Sequence, residues 1–319
     1  MEVSYLDKGM KAGQLCAATI GFFDGVHQGH QYLLRRLVDE ARQAGLQSCV
    51  ITFDRHPRQV LQADYCPRLL TTFEERIELL SKTGIDRCVI LPFSPEMAAL
   101  SAKDFMKDIL QERIGVKRLY IGYDHRFGHN RSEGFEDYVR YGEEMGMEVL
   151  QNDAFVLSPS TGEEAEQQSV SSSSIRKALQ QGNVDQASKL LGYPYFLTGK
   201  VVNGEHEGRK MGFPTANIDV TCKEKLLPAP GAYVVEVRME DEDRALPGMM
   251  NIGTRPTFGE NSLSLEVHVL DYSGNLYGRM LTVAFLQRLR EEHRFVSTKE
   301  LREQLMSDAQ QVRTYFQQK

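Results

Sequence analysis

The chain has 319 residues, enough for two ordinary domains, and its 41% hydrophobic and 26% charged residues are those of a globular protein. A net charge of −6 at pH 7 excludes broad affinity for nucleic acid, and no apolar run approaches the ~20 residues that cross a bilayer. The start, MEVSYLDKGMKAG, carries no secretory-signal pattern, and the five cysteines, never spaced C-x-x-C, suit reduced thiols in a cytoplasm better than a disulfide framework or a zinc ribbon.

Along the chain, LCAATIGFF (15–23) reads as a strand, and Leu33, Leu34, Leu37, Val38 and Ala41 then recur at helical spacing. LQSCVITF (46–53) is a second strand, and Thr72 with Glu75 forms a capping box for a helix to about Lys82. DRCVILPF (86–93), KRLYIGY (117–123) and EVLQND (148–153) are further strands, separated by helices around 102–113 and from Gly134. Cys49 and Cys88 lie inside these apolar runs as small core residues. Strand–helix alternation with apolar strands predicts a parallel sheet covered on both faces.

Two helices, 173–181 and 183–191, precede a change of pattern at Gly192. From about 195 to 290 short alternating strands punctuated by Gly and Pro predict a small antiparallel barrel. Ser297 with Glu300 caps a last helix with Leu301, Leu305, Val312 and Phe316 on its apolar side.

GFFDGVHQGH (21–30) falls where the first strand meets the first helix, a junction whose free N–H groups and positive helix end suit a phosphate. Gly21, Gly25 and Gly29 allow close backbone approach, and His27 and His30, three apart, can address one phosphate, as nucleotidyl transfer requires. The same pair could instead hold a metal with Asp24 or cap the helix. In the second half, GKVVNGEHEGRKMGFPTAN (199–217) is a glycine-rich loop followed by an extended segment. Thr215 and Asn217 share a face there and can hold Mg²⁺ against nucleotide phosphates, unless they are ordinary hairpin polar groups. LSLEVHVL (263–270) puts Ser264, Glu266 and His268 opposite an apolar stripe. That face could be plain solvent, but in a kinase for an alcohol Glu266 would be the proton acceptor.

Taken in order, these motifs resemble the bacterial riboflavin kinase/FAD synthetase family, whose first half is an H-x-G-H nucleotidyltransferase. The resemblance covers nearly the whole chain. It implies a Rossmann-like α/β nucleotidyltransferase domain (1–192) and a six-stranded antiparallel β-barrel kinase domain with a C-terminal helix (193–319). It also implies that His27, His30 and Arg176 carry adenylyl transfer, with Gly21, Phe23, Asp24, Gly25 and Gly29 in the phosphate loop. T-F-D-R-H-P (52–57) would set Phe53, His56 and Pro57 beside the flavin. G-Y-D-H-R-F-G-H-N-R-S-E-G (122–134) would bring Asp124, Arg126 and Phe127 to the adenosine and phosphates, with His125 and Asn130 departing from the usual residues. S-S-S-S-I-R (171–176) would clamp the triphosphate through Ser172 and Ser173. In the barrel, Gly208 and Gly212 shape the loop, Thr215 and Asn217 hold metal and phosphates, Glu266 is the base, and riboflavin lies near Arg290.

The expected cofactors are ATP and Mg²⁺, with riboflavin, FMN and FAD as substrates and products. No nucleic acid or membrane partner is expected, and transient self-association is left open. Two rivals stand beside this reading. An adenylyltransferase for another phosphorylated precursor would lack kinase activity, and a flavin-binding regulator would not need a proton acceptor.

Overall fold

The computed structural model describes residues 1–7, 9, 11–62, 64–123, 125–153, 155–157, 168–204, 208, 212–220, 222–240, 242, 244–254 and 263–318. By its internal contacts the chain divides into two units, Met1–Ser172 and Ser173–Lys319.

The first unit runs β1 (Glu2–Tyr5), β2 (Cys16–Ile20), α1 (Gln28–Gln43), β3 (Gln47–Phe53), α2 (Pro57–Leu61), α3 (Phe73–Ser81) and β4 (Arg87–Leu91). It continues through α4 (Pro95–Ala98), α5 (Ala102–Asp104), which passes into a π-helical stretch over Phe105–Ile114, β5 (Val116–Ile121), α6 (Phe135–Met145) and β6 (Glu148–Gln151). A small antiparallel pair, β7 (Val156–Leu157) and β8 (Gln168–Ser169), follows. The main sheet has the order β1-β4-β3-β2-β5-β6, with every pair parallel.

Both faces of that sheet are buried, which is why its strands read as unbroken apolar runs. Alternation divides them: Ala17 and Val50 join Leu34, Leu37 and Leu80 from α1 and α3. Cys16, Ala18, Cys49 and Ile51 join Phe105, Leu110 and Tyr138 on the other side. The Thr72–Glu75 capping box forms as expected, with each side chain accepting from the other's backbone N–H. β1 was not foreseen; it is a four-residue edge strand with Val3 and Tyr5 exposed, too short and too wet to leave a pattern. From β2 the chain first builds leftward to β3 and β4, then crosses to β5 on the other side. The C-terminal ends of β2 and β5 therefore flank a topological switch point, where such sheets leave a crevice.

The second unit begins at the second residue of α7 (Ser172–Gln180) and continues through α8 (Val184–Leu191), β9 (Phe196–Val202), β10 (Ala216–Asp219), β11 (Gly231–Met239), β12 (Leu246–Thr254), β13 (Leu263–Val269), β14 (Met280–Glu291) and α9 (Thr298–Gln317). The six strands close an antiparallel barrel in the order β10-β13-β12-β11-β14-β9. Val235, Val237, Val267, Val283 and Phe285 are fully buried in this unit. α9 covers β11 and β12 through Ala309 and Val312 against Val234 and Met249. α8 packs on β14, and the α7–α8 turn is tied down where Arg288 Nη1 donates to Gln181 O and Ala229 N donates to Leu179 O.

Candidate functional sites on the two units

At the end of β2 the chain turns through Asp24–Val26 into α1 in a conformation that ordinary residues avoid. Phe23 (φ 55°) and Val26 (φ 35°) are left-handed, and so is Gly25 (φ 79°), where the absence of Cβ removes the penalty. A Cβ on Gly29 would meet the His27 ring at 3.3 Å, and one on Gly21 the Phe23 ring at 3.0 Å, so both glycines keep the turn tight.

Asp24 is buried at 3% exposure and braces this turn. Its carboxylate accepts from Leu70 N, Thr71 N and Thr71 Oγ1 at 3.0–3.1 Å, while Gly25 N donates to Thr71 Oγ1. The alternative in which the histidines hold a metal with Asp24 finds no support: among the described residues no group of three His, Cys, Asp or Glu could hold a metal.

His27 caps α1, its Nδ1 accepting from His30 N at 3.4 Å. The two imidazoles stack, 3.6 Å between centres and 17° between planes, and Phe23 meets His30 edge-on at 5.1 Å. Burial pushes the His30 pKa well below the ordinary imidazole value, and the neighbouring His27 and His125 push it the same way. Its Nδ1 is buried with no hydrogen-bond partner among the described residues. The site thus holds an imidazole that would gain both a bond and a compensating charge from an anion.

Beyond the histidines lies a cavity of about 520 Å³. Its wall includes Ile20, Phe53, Pro57, Phe93, Phe105, His125, Arg126 and Phe127. Phe53 meets Phe93 edge-on at 5.4 Å, and Phe127 stacks on the buried Tyr138 at 4.2 Å, whose hydroxyl bonds both Phe127 N and Phe127 O. His56 caps α2, its Nδ1 accepting from Arg58 N, with Pro57 opening the helix. The cavity wall thus joins the F-x-x-H-P turn to the Arg126–Phe127 segment, and the H-x-G-H loop is near it through Phe22, whose ring meets His56 edge-on at 4.8 Å, and through His125, whose field reaches His30. Ser172 joins the loop by donating to Asp24 O at 3.0 Å. Ser173 and Arg176 follow on α7 in the second unit, and Asp124 lies outside the described residues.

On the barrel, β13 sets Glu266 directly opposite Asn217 of β10 and Asn251 of β12, so the three side chains share a face. Thr215 Oγ1 donates to Glu266 Oε2 at 3.3 Å. This face is not open solvent: Ser264 and Asn217 are buried, and Glu266 and His268 are half-buried. His268 Nδ1 donates to Pro214 O at 2.8 Å, fixing the segment that carries Thr215; burial lowers its pKa, which favours the neutral ring. A Cβ on Gly208 would meet Phe213 O at 2.3 Å, and Gly212 is left-handed (φ 86°), so both expected glycines answer to backbone geometry. A cavity of about 500 Å³ opens beside Thr215, lined also by Pro214, Tyr272, Asn275 and Tyr277. Arg290, expected near riboflavin, forms a two-pronged ion pair with the buried Asp308 of α9 and lies 5.5 Å from the Phe295 ring centre.

The sequence reading missed Thr71, Arg76, Asn251 and the His268 contact. Arg76 had a signal: it stands between Phe73 and Leu80 on the apolar side of α3, where a charge is out of place.

Residues 10–173 match the family described as FAD synthetase, and residues 191–316 match riboflavin kinase. A nucleotidyltransferase-type unit followed by a flavokinase barrel defines a two-domain class of flavin-cofactor enzymes. The bifunctional riboflavin kinase/FMN adenylyltransferase of Escherichia coli (strain K12) is 37% identical over 301 residues, 94% of this chain and 93% of its own. That of Pseudomonas fluorescens is 38% identical over 299 residues, 93% of this chain and 92% of its own. The chain belongs to the bifunctional riboflavin kinase/FMN adenylyltransferase family. A crystal structure described as a macrolide-efflux protein from Streptococcus pneumoniae has the same fold, with a TM-score of 0.86 at 30% identity over 98% of this chain and 99% of that one. That description stays with that protein; among the described residues no helix here is long and apolar enough to cross a membrane.

Proposed function

We propose that this chain makes FAD from riboflavin in two ATP-dependent steps, adenylyl transfer in a domain of residues 1–192 and phosphorylation in a domain of residues 193–319. The observation that carries the reading is the contact of Thr215 with Glu266, set opposite Asn217 and Asn251, because it gathers phosphate-site groups and a carboxylate on one barrel face. In the kinase step the ribityl 5′-hydroxyl attacks the γ-phosphorus of ATP, Glu266 takes the hydroxyl proton, and ADP leaves. Thr215 and Asn217 offer a hydroxyl and an amide oxygen on that face, the donors a hard cation prefers, so they fit Mg²⁺. When bound, the ion would neutralise phosphate charge.

In the adenylyl-transfer step a phosphate oxygen of FMN attacks the α-phosphorus of ATP and pyrophosphate leaves. His27 and His30 stabilise the charge developing on the phosphates, helped by the N-terminus of α1. Ser172, Ser173 and Arg176 bind the triphosphate, and Asp124 and Arg126 hold the adenosine side. Phe53, His56 and Pro57 lie beside the flavin, a role supported by the apolar cavity that Phe53 and Pro57 line, and Phe127 joins Asp124 and Arg126 at the adenosine and phosphates. Riboflavin lies near Arg290, whose ion pair with Asp308 ties the end of β14 to α9. The substrates are small molecules, and the reduced cysteines and composition support work in the cytoplasm. Incubating the purified protein with riboflavin, ATP and Mg²⁺ and separating the products by chromatography tests the whole reading: FMN then FAD is expected, and neither product refutes it.

A further inference from the structure

Arg76 does not itself line either cavity, yet it is among the largest fully buried side chains of the described residues, 2% exposed. Its Nη1 donates to Phe22 O at 3.1 Å and its Nη2 to Phe53 O at 2.6 Å. The Phe53 carbonyl ends β3, where the F-x-x-H-P turn begins, and the Phe22 carbonyl lies two residues past β2, in the H-x-G-H loop. The guanidinium lies 4.0 Å from the centre of the Phe22 ring, which in turn meets His56 edge-on at 4.8 Å.

Burying a cation is costly unless it is well paired. The acid whose field acts most on Arg76 is Asp24, and Asp24 gives its oxygens to Leu70 and Thr71. Nε is buried with no hydrogen-bond partner among the described residues. Burial pulls the guanidinium down to about 10, so it keeps its charge at neutral pH. An apolar side chain of similar length would fill the same space without this cost. What it would not do is bind two carbonyls on adjacent strands.

We propose that Arg76 is a positioning residue for adenylyl transfer, holding the phosphate loop and the flavin-side turn at a fixed separation through the Phe22 and Phe53 carbonyls. The inference rests on reading the first unit as an FMN adenylyltransferase. In-line transfer needs the reacting atoms within about 3–3.5 Å, and a misplacement of about 1 Å can cost 10²-fold. The Phe22–Phe53 clamp is where such a misplacement would arise.

The test uses the full chain as wild type, Arg76→Lys and Arg76→Met. It measures kcat and KM for FAD formation from FMN and ATP, riboflavin phosphorylation by the same samples, and the thermal midpoint by circular dichroism. Lysine keeps the charge but cannot span both carbonyls, so its kcat for FAD formation should fall roughly 10–100-fold with smaller changes in KM. Methionine should fall further, and riboflavin phosphorylation should stay within about twofold in both. A kcat for FAD formation within about threefold of wild type in both variants overturns the proposal. So does an equal loss of both activities, which would make Arg76 a support of the fold, or a rise in the KM for ATP alone, which would make it a remote charge. Wild type that makes no FAD from FMN removes the reading of the site, and this inference with it.

Discussion

Replacing Glu266 by Gln separates the proton acceptor from everything else that residue does. The carboxylate is half-buried, accepts from Thr215 Oγ1 at 3.3 Å, and faces the amides Asn217 and Asn251 across the neighbouring strands. A glutamine fits that space, and its amide oxygen can still accept from Thr215. The loss of stability should therefore stay within about 1 kcal/mol. What the amide cannot do is take the ribityl hydroxyl proton. General-base catalysis contributes about 10²–10⁴-fold, which is roughly 3–5 kcal/mol of barrier, and kcat for riboflavin phosphorylation should drop by that factor. KM for riboflavin and ATP should move little, because the lost interaction matters in the transition state. Chromatographic assay of FMN formation reads the effect, and FAD formation from supplied FMN in the same samples controls for misfolding. A kinase kcat within about threefold of wild type would return Glu266 to a structural role and leave phosphorylation without an identified base.

Three further outcomes are expected. His30→Ala should lower kcat for FAD formation roughly 10²–10³-fold while sparing FMN formation, and equal loss of both would point to folding instead. Because burial depresses the pKa of both His30 and His268, the unfolded chain takes up protons first; the stability they contribute is present above about pH 6.5 and lost as pH falls below it. Urea unfolding at several pH values checks this, and His30→Asn should flatten the slope. Finally, Val184, Ala187, Leu190 and Leu191 are fully buried on α8, which packs on β14. A fragment 193–319 should thus melt at least about 10 °C below a fragment 173–319; equal midpoints would show that the two helices are dispensable to the barrel.

Most of the fold was legible because its strands are covered on both sides. β2 to β5 appear in the sequence as apolar runs, and the structure begins and ends them within about three residues of the expected limits. The helical stretch around 102–113 was visible too, but apolar periodicity did not separate α-helical from π-helical winding, and most of it winds as π. The barrel's polar face was legible from alternation in 263–270, though not its company. Thr215 lies 51 residues from Glu266, and Asn251 arrives only through the β12 pairing. Strand alternation says which way Glu266 points, and only closure of the barrel says what it meets.

The H-x-G-H loop shows the same division inside one motif. Its glycines and histidines announce a phosphate site by their chemistry, whereas Asp24 and Arg76 act through partners 23–54 residues distant. The loop needs them for an energetic reason. Two non-glycine residues in left-handed conformations, Phe23 and Val26, cost about 1–3 kcal/mol each. Three hydrogen bonds to the Asp24 carboxylate contribute about 1.5–3 kcal/mol each, enough to offset that strain with a small surplus. Without the carboxylate the turn would relax toward ordinary φ values and carry His27, the cap of α1, away with it. The stacked histidines are therefore aimed by groups that need never touch a substrate, and a reading of the motif that assigns every polar letter to the ligand miscounts which residues bind and which aim.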